Sequence, residues 1–149
     1  LDAVEPSALA WERSAARRAA ADVPVRRIGL DGQRIEAADA SYDAALITFS
    51  LCTIPDAAAA VAEVARLVRP GGRVHVLEHG LAPEPGVARW QHRLEPLQRR
   101  VVGGCHLTRD PIALLEAAGW RVEESERGYL VPGPARPLSY LTRAVATRA

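Results

Sequence analysis

Ser41-Tyr42-Asp43-Ala44-Ala45-Leu46-Ile47-Thr48-Phe49 opens the stretch that decides the fold. It continues through the loop Leu51-Cys52-Thr53-Ile54-Pro55-Asp56 and a helix-forming run. Then come Arg69-Pro70-Gly71-Gly72-Arg73 and a second apolar run ending in Glu78-His79-Gly80. The order is strand, loop, helix, tight turn, strand. Such a crossover is right-handed and sets two parallel strands side by side or nearly so. The run Ala44-Ala45-Leu46-Ile47 does not alternate, which suits a strand covered on both faces. Asp56 is placed to cap the helix, and Val61, Val64, Ala65 and Val68 lay one apolar stripe on the sheet. Pro70 stops the helix, and Gly71-Gly72 supply the reversal into a strand over Arg73–Glu78.

Length and composition bound the rest. The 149 residues suffice for one domain with one core. Net charge is +1, without the basic excess that phosphate binding requires, so nucleic acid is not an expected partner. All 19 basic residues are arginine, as GC-rich coding would give. Two cysteines, Cys52 and Cys105, make no disulfide framework and fit a reducing, cytoplasmic compartment. No apolar run reaches the ~18 residues of a membrane-spanning helix.

Outward from the central stretch, Leu1–Glu5 reads as a short strand ending in an acid. A helix follows from Ser7 to about Ala21, and Val25–Leu30 is the next strand. Pro85–Val101 reads as a helix with Trp90, Leu94, Leu97 and Val101 on a face assigned to the core. The exposed arginines also suit a peripheral membrane contact. Asp110 and Pro111 open a further helix that Gly119 closes. Trp120–Arg127 is a strand, and a last strand near Tyr140–Thr147 is expected antiparallel at the sheet edge. His75, in mid-strand, is expected to pack in the core, and Cys52 to act as a small apolar filler. His79, His92, Cys105 and His106 match no compact zinc spacing, so no metal is expected.

Several blocks together resemble one family. They are Asp39-Ala40-Ser41-Tyr42-Asp43, Leu51-Cys52-Thr53-Ile54-Pro55-Asp56, the Arg-Pro-Gly-Gly-Arg turn, Leu77-Glu78-His79-Gly80, and Gly104-Cys105-His106-Leu107-Thr108-Arg109-Asp110 before Ala118-Gly119-Trp120. Their order and spacing resemble the class I S-adenosylmethionine-dependent methyltransferases. The likeness is nearest to the ubiquinone/menaquinone methyltransferase-like and thiol methyltransferase-like branch. The resemblance implies an α/β, Rossmann-like fold: a three-layer αβα sandwich, mostly parallel with a C-terminal antiparallel strand. It implies methyl transfer from S-adenosylmethionine to a small-molecule or lipid-like acceptor.

It also implies site residues. Glu5, followed by Pro6, matches the acid that holds the ribose hydroxyls; a carboxylate accepts two donors at once. Asp31, Gly32 and Gln33 lie where the adenine is held, although Asp-Gly is also a common turn pair. Thr48, Phe49, Ser50 and Leu51 end a strand at the carboxyl edge, where ligands sit in open α/β sheets. Glu78 and His79 are the candidates to orient an acceptor or take its proton; a turn cap and a half-buried loop residue are their plain structural roles.

One family feature is missing. No Gly-x-Gly loop follows a first strand, residue 1 is Leu, and the chain has no Met. The chain is therefore expected to be a single partial domain. In the family's strand order 3-2-1-4-5-7-6, the lost first strand would lie between the strand at Leu1 and the strand at Asp43. Alone, such a chain is expected to be poorly stable with little cofactor affinity. Two other readings stay open: a non-catalytic, partner-dependent half-domain, and a nicotinamide-dependent oxidoreductase, which would need the absent Gly-x-Gly-x-x-Gly turn.

Overall fold

Two sheets, not one, organise the computed structural model, which describes residues 1–149. The smaller sheet pairs β1 (Asp2–Val4) in parallel with β2 (Arg26–Gly29). The larger has β3 (Tyr42–Thr48), β4 (Val68–His79), β5 (Trp120–Tyr129) and β6 (Tyr140–Arg148) in the order β3-β4-β6-β5. β3 and β4 are parallel; β6 is antiparallel to both β4 and β5. The interruption falls between the strand at Leu1 and the strand at Asp43, where the family order puts an additional strand. Across it, the Tyr42 hydroxyl donates to Asp2 Oδ2 at 2.7 Å.

β1 and β2 are connected by α1 (Ala8–Arg13) and α2 (Ala15–Ala19), where one helix from Ser7 to Ala21 was expected. Ser7 caps the first as its type predicts, accepting from Ala10 N at 3.1 Å. The break is at Ser14, whose hydroxyl donates back to the Trp11 carbonyl at 2.7 Å. Serine that bonds locally to the backbone competes with helix continuation.

α3 (Ala57–Leu67) follows the sequence pattern closely. Asp56 caps it, accepting from Ala59 N at 2.9 Å, and Val61 is buried against the large sheet, while Val68, the last residue of the expected stripe, already begins β4. α5 (Pro111–Ala117) is capped by Asp110, with Leu115 fully buried, and Gly119 beyond its end has φ 82°. Together α3 and α5 cover one face of the large sheet, over Ile47, Val74, Val76, Ala144 and Ala146.

The other face is open. Leu46 is 70% exposed, and His75, its neighbour across the β3–β4 ladder, is exposed as well. Two expectations are corrected here: β3 is not covered on both faces, and His75 is not in the core. The physical reason is that α1 and α2, the remaining candidates to cover that face, bury no residue. The last strand is corrected too. β6 lies inside the sheet, and β5 is the edge.

α4 (Pro85–Val101) has the expected bounds but not the expected orientation. Trp90, Leu97 and Val101 are exposed and Leu94 is half-buried. The face turned inward carries Gln91, which is buried, and the half-buried Glu95. Gln91 accepts from Ala82 N at 2.8 Å and donates to Gly80 O at 2.9 Å. An amide that satisfies backbone groups of a buried loop outweighs the apolar stripe, because those groups would otherwise be orphaned.

The Gly71-Gly72 segment, which lies inside β4 at the register shift against β3 because the strand starts at Val68 and not at Arg73 as expected, gives a test. A Cβ on Gly72 would lie 2.6 Å from Asp43 O and 2.9 Å from Arg69 O, whereas one on Gly71, at φ 76°, would meet nothing. Gly72→Ala is expected to cost about 3 kcal/mol through displaced backbone, and Gly71→Ala about 1 kcal/mol through strain alone. Urea unfolding midpoints of the two variants check the order. Equal losses would contradict the packing described.

Candidate functional site

Asp2 and Tyr42, at the starts of β1 and β3, are hydrogen-bonded to one another and the loops after β2 and β3 touch, so the carboxyl ends of β1, β2, β3 and β4 face one edge. The loops leaving them therefore meet at one edge. Glu5 follows β1 and is half-buried; its N–H donates to Gly29 O at 3.2 Å. One carboxylate oxygen accepts from Ser7 N at 2.7 Å, while Oε2 has no partner. Pro6 beside it is exposed.

Asp31, Gly32 and Gln33 follow β2. Asp31 Oδ1 accepts from Gln33 N at 2.9 Å, a local Asx turn. Gln33 then reaches across to the other sheet, its Oε1 accepting from Asp56 N at 2.8 Å. A Cβ on Gly32 would stand 3.0 Å from Ile54 Cδ1. The loop after β2 thus packs directly on the loop after β3, and the structure brings together two candidate segments that are remote in sequence.

Thr48, Phe49, Ser50 and Leu51 complete this edge. Phe49 has φ 48°, a left-handed conformation that costs a bulky residue about 1–2 kcal/mol. It is held by its N–H donating to Leu77 O at 3.0 Å. Thr48 and Phe49 are exposed, Ser50 is half-buried and Leu51 is buried.

Glu78 holds the loop in place. Its side chain is fully buried, and its carboxylate accepts from Ser50 N at 2.5 Å, Leu51 N at 2.9 Å and Cys52 N at 3.2 Å. Burial pushes its pKa up, and the three N–H groups pull against that. Both oxygens are committed to the backbone, so Glu78 shapes the loop and does not face an acceptor. That corrects its assignment as an acceptor-orienting acid or base.

Arg109 grips the same loop from the other side. Its guanidinium donates to the carbonyls of Leu51, of Ile54 at 2.6 Å and of Pro55 at 3.0 Å. Sequence reasoning gave Arg109 no role of its own. The only signal was its place in the Thr108-Arg109-Asp110 block, since donors to carbonyls carry no sequence period.

His79, at the end of β4, is half-buried. Its ring lies 5.2 Å from that of Phe49, tilted by 56°. Its Nδ1 is 3.6 Å from the Sγ of buried Cys105. The Cys52 and Cys105 sulfurs lie within 4.8 Å of one another. The neighbouring thiol pushes the Cys52 pKa up, helped by burial. The same pairing and His79 pull Cys105 down. Cys52 is thus a partner in a polar pair, beyond the apolar filler its sequence suggests. His106 does not join it: its Nδ1 is 3.1 Å from Glu95, which also accepts from Thr108 N at 2.9 Å. Burial pulls the Glu95 pKa upward, but hydrogen bonds from Thr108 and His106 hold it below the usual range.

Glu78→Ala would leave three loop N–H groups without an acceptor in a buried place. The expected loss is at least about 3 kcal/mol of unfolding free energy, measured by urea denaturation. A loss under ~1 kcal/mol would mean the loop does not depend on this carboxylate.

Known proteins match this arrangement. Over 82 residues the chain is 37% identical to thiol S-methyltransferase TMT1B of Rattus norvegicus, covering 54% of this chain and 34% of that protein. It is 48% identical over 48 residues to a demethylmenaquinone methyltransferase of Corynebacterium kroppenstedtii, covering 32% of this chain and 21% of that one. The matches thus span about a third or less of the length of these curated relatives. Among solved structures, a methyltransferase from Bacillus halodurans superposes with a TM-score of 0.78 at 11% identity, covering 99% of this chain and 82% of that one. At that identity the likeness shows the fold, which is the Rossmann-like methyltransferase fold. The profile described as Methyltransferase domain matches residues 2–76, half of the chain, and the chain belongs to that family.

Proposed function

We propose that this chain carries the nucleoside-binding edge and acceptor side of an enzyme that moves the methyl group of S-adenosylmethionine to a small molecule. One observation carries the reading. Glu5, the Asp31–Gln33 turn and Thr48–Leu51 stand at one edge of the parallel strands, on both sides of the interruption between the sheets. That is where open α/β sheets bind nucleotides.

The residues present fit the nucleoside half of the cofactor. Glu5 Oε2 is a free acceptor for a ribose hydroxyl. Asp31 is exposed and able to accept from the adenine amine. Gly32 lies so close to Ile54 that a side chain there would crowd the ring's place. When bound, the cofactor supplies an already activated methyl group on a sulfonium. The protein's part is then alignment and exclusion of water, for which the Glu78–Arg109 grip on residues 50–55 gives a rigid wall.

For the acceptor we favour a thiol. Its support is the match to the rat thiol S-methyltransferase over 82 residues. The demethylmenaquinone methyltransferase match covers a shorter segment. Trp90, Leu97 and Val101 are exposed on α4 beside the exposed Arg89, Arg93 and Arg100. They support a peripheral contact with a membrane that would carry lipid-like acceptors. No helix is long and apolar enough to cross a membrane.

Two measurements test these readings. In the full-length gene product, Glu5→Ala is expected to weaken S-adenosylmethionine binding about 10- to 100-fold by calorimetry, the equivalent of about 1.5–3 kcal/mol for a charged hydrogen bond. Unchanged affinity, or equal affinity for NADH, would sink the cofactor reading. With vesicles of anionic phospholipid, the double variant W90A/L97A is expected to lower the vesicle partition constant about 100-fold, at about 1.5 kcal/mol for each of the two buried side chains. Equal co-sedimentation of variant and parent would remove the membrane contact.

A further inference from the structure

Cys52, His79 and Cys105 come from three separate segments: the loop after β3, the end of β4 and the loop before α5. Their sulfur and nitrogen atoms all lie within 4.8 Å of one another. Both cysteines are free and only 2% exposed. Cys105 Sγ and His79 Nδ1 are 3.6 Å apart. With zinc–sulfur and zinc–nitrogen bonds of about 2.3 and 2.0 Å, two vertices of a tetrahedral site stand about 3.6 Å apart. The three donors need little movement to share one ion.

The scaffold is built to hold them there. Glu78 accepts from Cys52 N, and His106 N donates to Cys52 O at 2.7 Å. The second of these bonds ties the Cys105 segment to the Cys52 loop. Leu107 and Leu94 pack on the sulfurs and keep them dry. We propose that Cys52, His79 and Cys105 form a three-ligand site for a soft divalent ion such as Zn²⁺, whose fourth position takes the sulfur of a thiol acceptor.

Ligand chemistry supports the choice of ion. Two thiolates and one imidazole suit zinc and are unsuited to magnesium or calcium. Two thiolates also neutralise a divalent charge, which makes the buried site tolerable; their two protons go to solvent on binding. The nearest carboxylate, Glu78, is fully engaged with backbone N–H groups and cannot supply the fourth ligand. Three protein ligands with one open vertex is the pattern of zinc sites that take a substrate. The cluster reaches solvent along half-buried His79, beside Phe49 at the cofactor edge.

The fourth-ligand role rests on the thiol reading of the acceptor. A coordinated thiol gives up its proton to solvent and stands as thiolate at neutral pH. Its sulfur can then form a bond to the methyl carbon as the sulfonium carbon–sulfur bond breaks. The neutral thioether product is a weaker ligand and leaves. Atoms and charge balance with no oxidant or reductant.

The test is Co²⁺ titration of the reduced, chelator-treated chain, followed by optical spectroscopy. One Co²⁺ per chain is expected, with strong visible d–d bands of a four-coordinate site and near-ultraviolet sulfur charge transfer. C52S, C105S and H79N should each lose those bands, and H92N should keep them. Circular dichroism confirms that each variant is folded. Adding 2-mercaptoethanol to the Co²⁺ form should shift and strengthen the charge-transfer band.

A folded, reduced chain that shows no such bands overturns the site, as does a Cys52–Cys105 disulfide that persists under reductant. Bands that ignore the added thiol overturn the acceptor role. Thiol methylation by the full-length product is assayed separately. Methylation that survives C105S and H79N counts against the metal. A parent that keeps the Co²⁺ spectrum but methylates no thiol counts against the thiol reading instead.

Discussion

The Glu78 carboxylate is the constraint on which the site depends. It is wholly buried, and it accepts from three consecutive backbone N–H groups at the turn after β3. A buried charge without partners would be costly, and so would three orphaned N–H groups; each solves the other's problem. Arg109 completes the arrangement from the carbonyl side of the same loop. Between an anion that takes its N–H groups and a cation that takes its C=O groups, residues 50–55 are fixed without regular secondary structure. Everything proposed for the site borders this loop: the strained Phe49, the Gly32 turn and Cys52.

Most of the fold was legible because it follows short-range rules. The Asp56 cap, the α3 stripe, the Gly71-Gly72 reversal, and the Asp110-Pro111 start with its Gly119 stop are all local. Each was read from residue type and spacing, and each appears in the structure except the reversal, which is a register shift inside β4. The failures share a cause. α4 was oriented by its apolar stripe, but the buried Gln91 amide decides its rotation by satisfying Ala82 N and Gly80 O. Gln91 has no pattern in sequence that announces partners nine and eleven residues away. His75 was assigned to the core by its place in a strand, and only the tertiary arrangement shows that its face is open.

The site was half legible for the same reason. The end of β3 follows from one rule, that loops at the carboxyl ends of parallel strands converge, whereas Glu5 and Asp31 are what the family resemblance implies. The roles of Glu78 and Arg109 do not follow from it, because a side chain that binds backbone can sit in almost any sequence. Cys52, His79 and Cys105 lie 27 and 26 residues apart, and no local spacing rule joins them. Only the register of β3 on β4, and the return of the chain before α5, brings them to one point.

The small sheet has one more consequence. β1 and β2 contribute Glu5 and Asp31, yet they bury no residue of their own. They are tied to the rest by a few polar links: Tyr42 to Asp2, Gln33 to Asp56, and Arg66 to the carbonyls of Ile35 and Ala37. Such a unit opens at lower free energy than the β4–β6 core, so its amides should exchange with solvent long before those of Val74 or Ala144. The residues proposed to hold the nucleoside, Glu5, Asp31 and Gly32, all sit on or beside that loosely held unit. Ligand occupancy and local order there are then one equilibrium, and a nucleoside that binds would act first as a clasp, slowing exchange at residues 2–33 before altering anything in the large sheet.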